Sequence, residues 1–294
     1  MATRPPIIDT HIHLFDPSRQ QGVPWPPKDN RIYRSTLPAR YREVASPFGV
    51  AGAIAIECSP WLADNQWLLD TARTDKIIVG VIGDLEPGTP DFREQVRHFA
   101  KDPLFRGIRY GNLWGRSLRE KISDSSFIAD LEFLAEANLV LDAANPDPAL
   151  VNAVVRLSDR VPDLTVVLDH LPGMQMPQDR AAREACQSDL ATLGSRPRVV
   201  AKISGFVRVV NGQVREDLAF YKERLDLVWS TFGPDRCFYG SDWPNSEQWA
   251  SYSQVFQLAD SFISNRDPGT IDKFYRSNAE AAYRLNTRHV TKLK

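Results

Sequence analysis

The residues best suited to chemistry lie near the start of the chain, in Ile8-Asp9-Thr10-His11-Ile12-His13. Side chains alternate along a strand, so Asp9, His11 and His13 are expected on one face and Ile8, Thr10 and Ile12 on the other. Two imidazoles about 7 Å apart along one face can converge on a single cation, with about 2.1 Å to each nitrogen. As an ordinary core pair they would carry a burial cost that nothing offsets, which favours a ligand. Two further stretches end in polar groups, Val166-Val167-Leu168-Asp169-His170-Leu171-Pro172 and Phe238-Tyr239-Gly240-Ser241-Asp242-Trp243-Pro244. Alone, His170 or Asp242 reads equally well as a turn residue or helix cap. Together, His11, His13, His170 and Asp242 suit either the ligand set of one divalent ion or an acid/base cluster, with Asp242 and His170 as the catalytic pair.

Groups so distant in sequence need a scaffold that brings strand ends together. Short apolar runs predict strands near Ile7–His13, Ala51–Glu57, Ile77–Asp84, Phe105–Tyr110, Leu139–Ala143, Leu164–Asp169, Val199–Ile203 and Cys237–Ser241. Their starts lie roughly 25–45 residues apart, room for a helix after each parallel strand. Helical patterns fall near Asn65–Arg73, Asp91–Ala100, Phe127–Leu134, Pro148–Leu157, Ala181–Leu193, Glu216–Thr231, Glu247–Ile263 and Thr270–Leu285. An open dinucleotide-binding sheet calls for a glycine-rich turn after the first strand, where this chain has histidines. The pattern therefore predicts a parallel (β/α)8 TIM barrel in the α/β class, as a single domain over residues 1–294, with polar strand ends facing the catalytic mouth. The proline-rich segment Asp16–Arg42 follows the first strand and is expected as an irregular lid or rim on that face.

Other mouth residues suit substrate binding. Arg109 can grip a carboxylate or hydroxyls, or pair with a barrel acid. Lys202 can stabilise an oxyanion or pair with Asp169 or Glu57, and Glu57 can accept from a hydroxyl or neutralise a cation. Trp61, Trp114 and Trp243 lie in loops on the same face and can stack on a ring or merely pack the loops. Asn278 reads as a structural cap, and His98 and His289 as surface groups.

Composition bounds the function. A net charge of −1 offers no footprint for nucleic acid or an anionic membrane, and the basic Arg288–Lys294 tail reads as solvated. Cys58, Cys186 and Cys237 form no C-x-x-C pair, which fits a reducing compartment. There is no apolar run of about 20 residues, and Met1–Pro6 lacks a signal-type apolar stretch, so a cytoplasmic enzyme with a small-molecule substrate is expected. A homo-oligomer is compatible with the sequence.

The ordered motifs DTHIHLF, AIECSP, NQWLLDTA, IIVGVIGDLE, FRGIRYG, LDHLP, AKISG, YGSDWP and SNAEAAYRL carry a resemblance. The sequence resembles the amidohydrolase superfamily (amidohydrolase 2 type), within it the lactonase-like group of sugar lactonases and 2-pyrone-4,6-dicarboxylate lactonase. That resemblance implies the barrel, hydrolysis of a cyclic ester, and Asp242 as the group that activates water. The chain departs from the superfamily's binuclear pattern, with no lysine on strands four and five and no histidine on strand seven. One metal at most is implied, zinc or manganese, and the group also includes metal-free members, in which imidazoles would hold the carbonyl. Two alternatives stay open: a metal-dependent decarboxylase of an aromatic or unsaturated acid, and a barrel that binds a sugar acid without turnover.

Overall fold

Eight short runs of β-branched and apolar residues pair side by side, and loops or helices carry the chain between them. The computed structural model describes residues 5–285; His289 and the Arg288–Lys294 tail lie outside the described residues. The strands are β1 (Ile7–Ile12), β2 (Val50–Ile56), β3 (Ile78–Gly83), β4 (Phe105–Gly111), β5 (Val140–Ala144), β6 (Val166–Leu168) and β7 (Val199–Ile203). A small antiparallel hairpin, β8 (Val209–Val210) and β9 (Gln213–Val214), precedes the last barrel strand, β10 (Cys237–Tyr239). The sheet order is β1-β2-β3-β4-β5-β6-β7-β10, every pair parallel. A parallel bridge Ile12↔Trp243 brings the two edges together, with backbone bonds His13 N→Trp243 O (2.7 Å) and Asp242 N→His11 O (2.9 Å). The expected (β/α)8 barrel is thus nearly closed, and its seam lies at the residues proposed for catalysis.

Two apolar layers hold the barrel. Ile8, Ile54, Ile82, Val140, Val167, Val200 and Phe238 form an inner cluster, capped by Tyr283 and Ala279 from the last described helix. On β4 the partner of Val140 is Gly107, where a Cβ would lie 2.2 Å from the Val140 carbonyl oxygen, so only glycine permits the strand approach. A larger cluster, including Ile7, Ile12, Ala53, Val81, Ile108 and Leu141, packs the outer strand faces against the helices. Several helices start where the sequence places them. Asp124 caps Ser125–Glu136, and Asp147 caps Pro148–Arg160 with Pro148 in its first turn.

Strand β1 departs from strict alternation. Ile8 joins the inner cluster, whereas Asp9 turns outward to accept from Tyr41 Oη (2.8 Å) and Tyr252 Oη (3.1 Å). A register irregularity between Asp9 and Ile12 restores His11 and His13 to the inside. The expectation that Asp9 shares the histidine face is therefore corrected: a bulge shifts the side-chain phase once, and Asp9 instead takes the Ser241 N–H (2.8 Å) across the seam.

The lid segment also holds more order than expected. Residues 16–35 form a loop closed at its base by Phe15 N→Thr36 O (3.1 Å) and Thr36 N→Phe15 O (2.8 Å). A helix, Pro38–Ala45, follows inside the stretch read as irregular, started by Pro38 in its first turn. The helix expected over Glu247–Ile263 is split into a one-turn Asn245–Gln248 and a helix Tyr252–Ile263, because Ser251 and Gln254 build a capping box between them. Similarly, the helix expected from Glu216 begins only at Lys222.

Candidate active site

Three imidazoles and a carboxylate come together at the mouth. His11 Nε2 lies 3.3 Å from His13 Nε2, and Asp242 Oδ1 lies 3.5 Å from His13 Nε2 and 3.8 Å from both His11 Nε2 and His170 Nε2. His11, His13 and Asp242 form one ligand group, with edges close to the roughly 3.3–3.6 Å of a tetrahedral ion whose bonds are about 2.0–2.2 Å, and His170 stands outside it beside Asp242. Asp242 Oδ1 is buried and accepts no hydrogen bond among the described residues, which is the signature of an oxygen reserved for a cation or a proton.

Backbone geometry aims these groups. His170 and Asp242 both adopt left-handed φ angles, 56° and 59°, which turn the chain sharply where each strand ends. Gly205 packs beneath His170; a Cβ there would lie 2.7 Å from Nδ1 of the imidazole.

The outer imidazole nitrogens are held in turn. His13 Nδ1 lies 3.1 Å from the Ile56 carbonyl, which can only accept, so Nδ1 donates there and Nε2 is the nitrogen turned to the centre. His170 Nδ1 meets Ser204 Oγ at 2.8 Å. His11 Nδ1 meets both Lys202 Nζ (3.2 Å) and Asp169 Oδ1 (3.5 Å), so either tautomer finds a partner. Burial pushes His11 well below the usual imidazole value against the pull of Asp169, and it lowers His170 against the pull of Asp242. Burial alone raises the Asp242 carboxyl, but the imidazoles of His170, His13 and His11 outweigh it and hold Asp242 below the usual carboxylate range. A neutral His11 beside an ionised Asp242 suits a divalent ion, and His11, His13 and Asp242 fit one. A second grouping, His11 with Asp169 and His170, is less apt because Asp169 is already engaged by two cations.

Below the four lies a buried charge network. Lys202 Nζ pairs with Asp142 Oδ2 (2.6 Å) and Asp169 Oδ1 (2.9 Å), and Asp169 Oδ2 takes Arg109 Nε (2.9 Å). Arg109 Nη1 reaches Glu57 Oε1 at 3.6 Å, and Glu57 Oε2 accepts from Trp114 Nε1 at 3.0 Å. Burial raises Asp142 to about 7 even with Lys202 beside it. Asp169 is driven the other way: burial would raise it, yet Lys202, His11 and Arg109 hold it well down.

A cavity of about 220 Å³ opens above, lined by His13, Trp25, Cys58, Arg109, Leu113, Trp114, Asn145, His170, Asp242 and Asn245. Arg109 and Trp114 stand on its wall as the sequence suggests. Four of the other residues read for substrate binding stand off this wall. Lys202 is fully buried under His11, with its ammonium spent on two carboxylates. Trp243 is fully buried between Tyr41 and the Arg40 guanidinium, its Nε1 donating to Glu247. Trp61 is 38% exposed at the start of helix Leu62–Arg73, off the cavity wall. Glu57 sits behind the wall, holding Arg109 and Trp114. Asn278 is the structural group expected, donating to the Pro234 and Cys237 carbonyls. Trp25, Asn145 and Asn245 were not anticipated; Trp25 comes from the proline-rich loop, with its ring 5.5 Å from that of His13.

Burial pushes Glu57 up to about 7, against the pull of Arg109. A raised carboxyl is protonated below that pH, and its charge appears as pH rises through it. Trp114 fluorescence is therefore expected to show a step near pH 7 that Glu57→Gln removes; a flat profile in the parent protein, or a step that survives in the variant, refutes this account.

The family profile described as amidohydrolase matches residues 8–285. The chain belongs to the amidohydrolase family. This amidohydrolase is 26% identical over 294 residues to an L-fucono-1,5-lactonase of Burkholderia ambifaria, covering 95% of the chain and 96% of the relative. It is 27% identical over 266 residues to an L-fucono-1,5-lactonase of Burkholderia multivorans, covering 88% and 89%. The solved structure of a zinc-bound amidohydrolase from Burkholderia multivorans matches with TM-score 0.82 at 24% identity, over 96% of this chain and 100% of that one. The amidohydrolase is thus a hydrolase by family, and none of its described helices is long and apolar enough to cross a membrane.

Proposed function

We propose that this amidohydrolase opens the ring ester of a neutral sugar-acid lactone, with a 1,5-lactone as the first candidate and Asp242 as general base. The observation that carries the reading is the unpartnered Asp242 Oδ1, buried at the floor of a small cavity and ringed by three imidazoles. The two Burkholderia relatives, matched along most of their length, support the substrate class. Charge supports a neutral ring: the wall's one guanidinium, Arg109, is already engaged by Asp169 and Glu57, which leaves little attraction for a substrate carboxylate. Trp25 and Trp114 offer faces for a ring, and Asn145 offers an amide for a hydroxyl.

Water held between Asp242 and the carbonyl gives its proton to Oδ1 as it attacks, and Asp242 returns that proton to the leaving ring alkoxide. His11, His13 and Asp242 would hold a divalent ion, zinc suiting this nitrogen-rich set better than the oxygen-preferring manganese. Such an ion, when bound, polarises the carbonyl. His170, on the cavity wall and fixed by Ser204, steadies the developing oxyanion.

The test is a lactone panel followed by proton release, with metal analysis of the purified protein and assays with and without chelator. Turnover of a neutral sugar 1,5-lactone is expected, and faster turnover of a dicarboxylate lactone contradicts the charge argument. Carbon dioxide release without water incorporation selects decarboxylation instead.

A further inference from the structure

The loop after β1 reaches the catalytic carboxylate through a chain of three carboxamides. Ile32 N–H donates to Asn30 Oδ1 (3.1 Å), and Asn30 Nδ2 donates to Gln248 Oε1 (2.6 Å). Gln248 Nε2 donates to Asn245 Oδ1 (2.5 Å), and Asn245 Nδ2 donates to Asp242 Oδ2 (2.8 Å). We propose that Asn30, Gln248 and Asn245 are positioning residues, a directional amide chain by which this loop orients Asp242. The proposal rests on Asp242 being the general base.

The direction is forced from both ends. A backbone N–H can only donate, so the Asn30 oxygen faces Ile32 and its nitrogen must face outward. An ionised carboxylate can only accept, so Asn245 must turn its nitrogen to Asp242. Gln248 fits between with one orientation, and no amide can flip without breaking a bond at each side. The outcome at the site is an asymmetric carboxylate: Oδ2 is saturated by Asn245, while Oδ1 is left without a partner, facing the imidazoles. Loop and turn are also docked independently of the chain. Arg34 and Arg40 both pair with Glu247, and Arg31 Nη1 donates to the Gln248 carbonyl (3.3 Å). Reversing the amides therefore need not undock the loop.

Reversal is available as an isosteric change. Asn30→Asp still accepts from Ile32 but can no longer donate to Gln248, which must flip to donate back. Asn245 then flips in turn and presents its oxygen to Asp242 Oδ2. Asn30→Ala deletes the first amide and leaves the others free to keep their direction. Gln248→Glu imposes the reversal from the other segment, and Lys28→Glu changes charge in the same exposed loop as a control. With the best lactone of the panel, Asn30→Asp and Gln248→Glu are expected to lower kcat at least about tenfold, the scale of one hydrogen bond to a charged group. KM should stay within about twofold, Asn30→Ala should lose less than Asn30→Asp, and Lys28→Glu should match the parent. Melting temperatures report folding, and with two reversals on separate segments either folded one decides. Asn30→Asp no slower than Asn30→Ala, a Gln248→Glu variant at parental kcat, or losses confined to KM overturn the chain. Full activity in Asp242→Asn instead overturns the base assignment on which it rests.

Discussion

Asp242→Asn is expected to lower kcat at least about 100-fold, the usual scale for loss of a general base. The amide keeps an oxygen for Asn245 but places an N–H₂ where Oδ1 faces His11, His13 and His170, so it can take no proton from water. Zinc affinity, measured by competition with a chromogenic chelator, should fall in the same variant because the one anionic member of the His11, His13 and Asp242 group becomes an amide. A near-parental rate sinks the assignment. The pH profile adds an independent check. Burial raises Asp242, but the surrounding imidazoles more than reverse it, so its charge persists at neutral pH and is lost only as pH falls through a value below the ordinary carboxylate range. Any stability tied to that charge is present above the unfolded carboxylate value and lost in the same acid window. Burial likewise lowers His11 and His170, so any loss of kcat/KM from their protonation is expected only at a pH below the ordinary imidazole value.

Lys202→Met is expected to destabilise the fold by about 3–5 kcal/mol, the cost of removing one member of a buried ion pair. Lys202 is the cation bonded to Asp142, and Asp142, Asp169 and Lys202 are all fully buried. Methionine fills similar volume without charge, so the loss reports electrostatics rather than a cavity. The melting temperature should drop by roughly 6–20 °C for a chain of this size. Adding Asp142→Asn to Lys202→Met should recover part of the loss, since it removes the stranded carboxylate while leaving Asp169 its bond to Arg109. A single variant that melts within about 2 °C of the parent, or a double variant that is worse, contradicts the account.

Much of this was legible in the chain itself. Apolar runs such as Val199–Ile203 announce strands whatever surrounds them, because burying both faces of a parallel strand demands such residues. A polar group at the end of each run, His11, His13, His170 and Asp242, follows from the same logic and needed no structure to be singled out. Asp147-Pro148 likewise sets a helix start by a bond within its own first turn. These are local signals, carried by neighbours in sequence.

What only the tertiary structure decided depends on partners far along the chain. Asp9 leaves the histidine face because a bulge meets Tyr41, Ser241 and Tyr252, and period-two alternation contains no bulge. Lys202 reads as an oxyanion donor or as a partner of Asp169 or Glu57 until the register of β5, β6 and β7 stacks it on Asp142 and Asp169. Trp243 reads as a loop aromatic until Tyr41 and Arg40 cover it. Trp25 and Asn30 carry no signal in a proline-rich stretch, and they meet His13 and Gln248 only in the folded loop. Residue types and strand ends thus determine which groups can do the chemistry. Which of them reach substrate, and which hold others in place, is set by long-range register and docking, since burial and hydrogen-bond pairing are properties of the closed barrel rather than of any local segment.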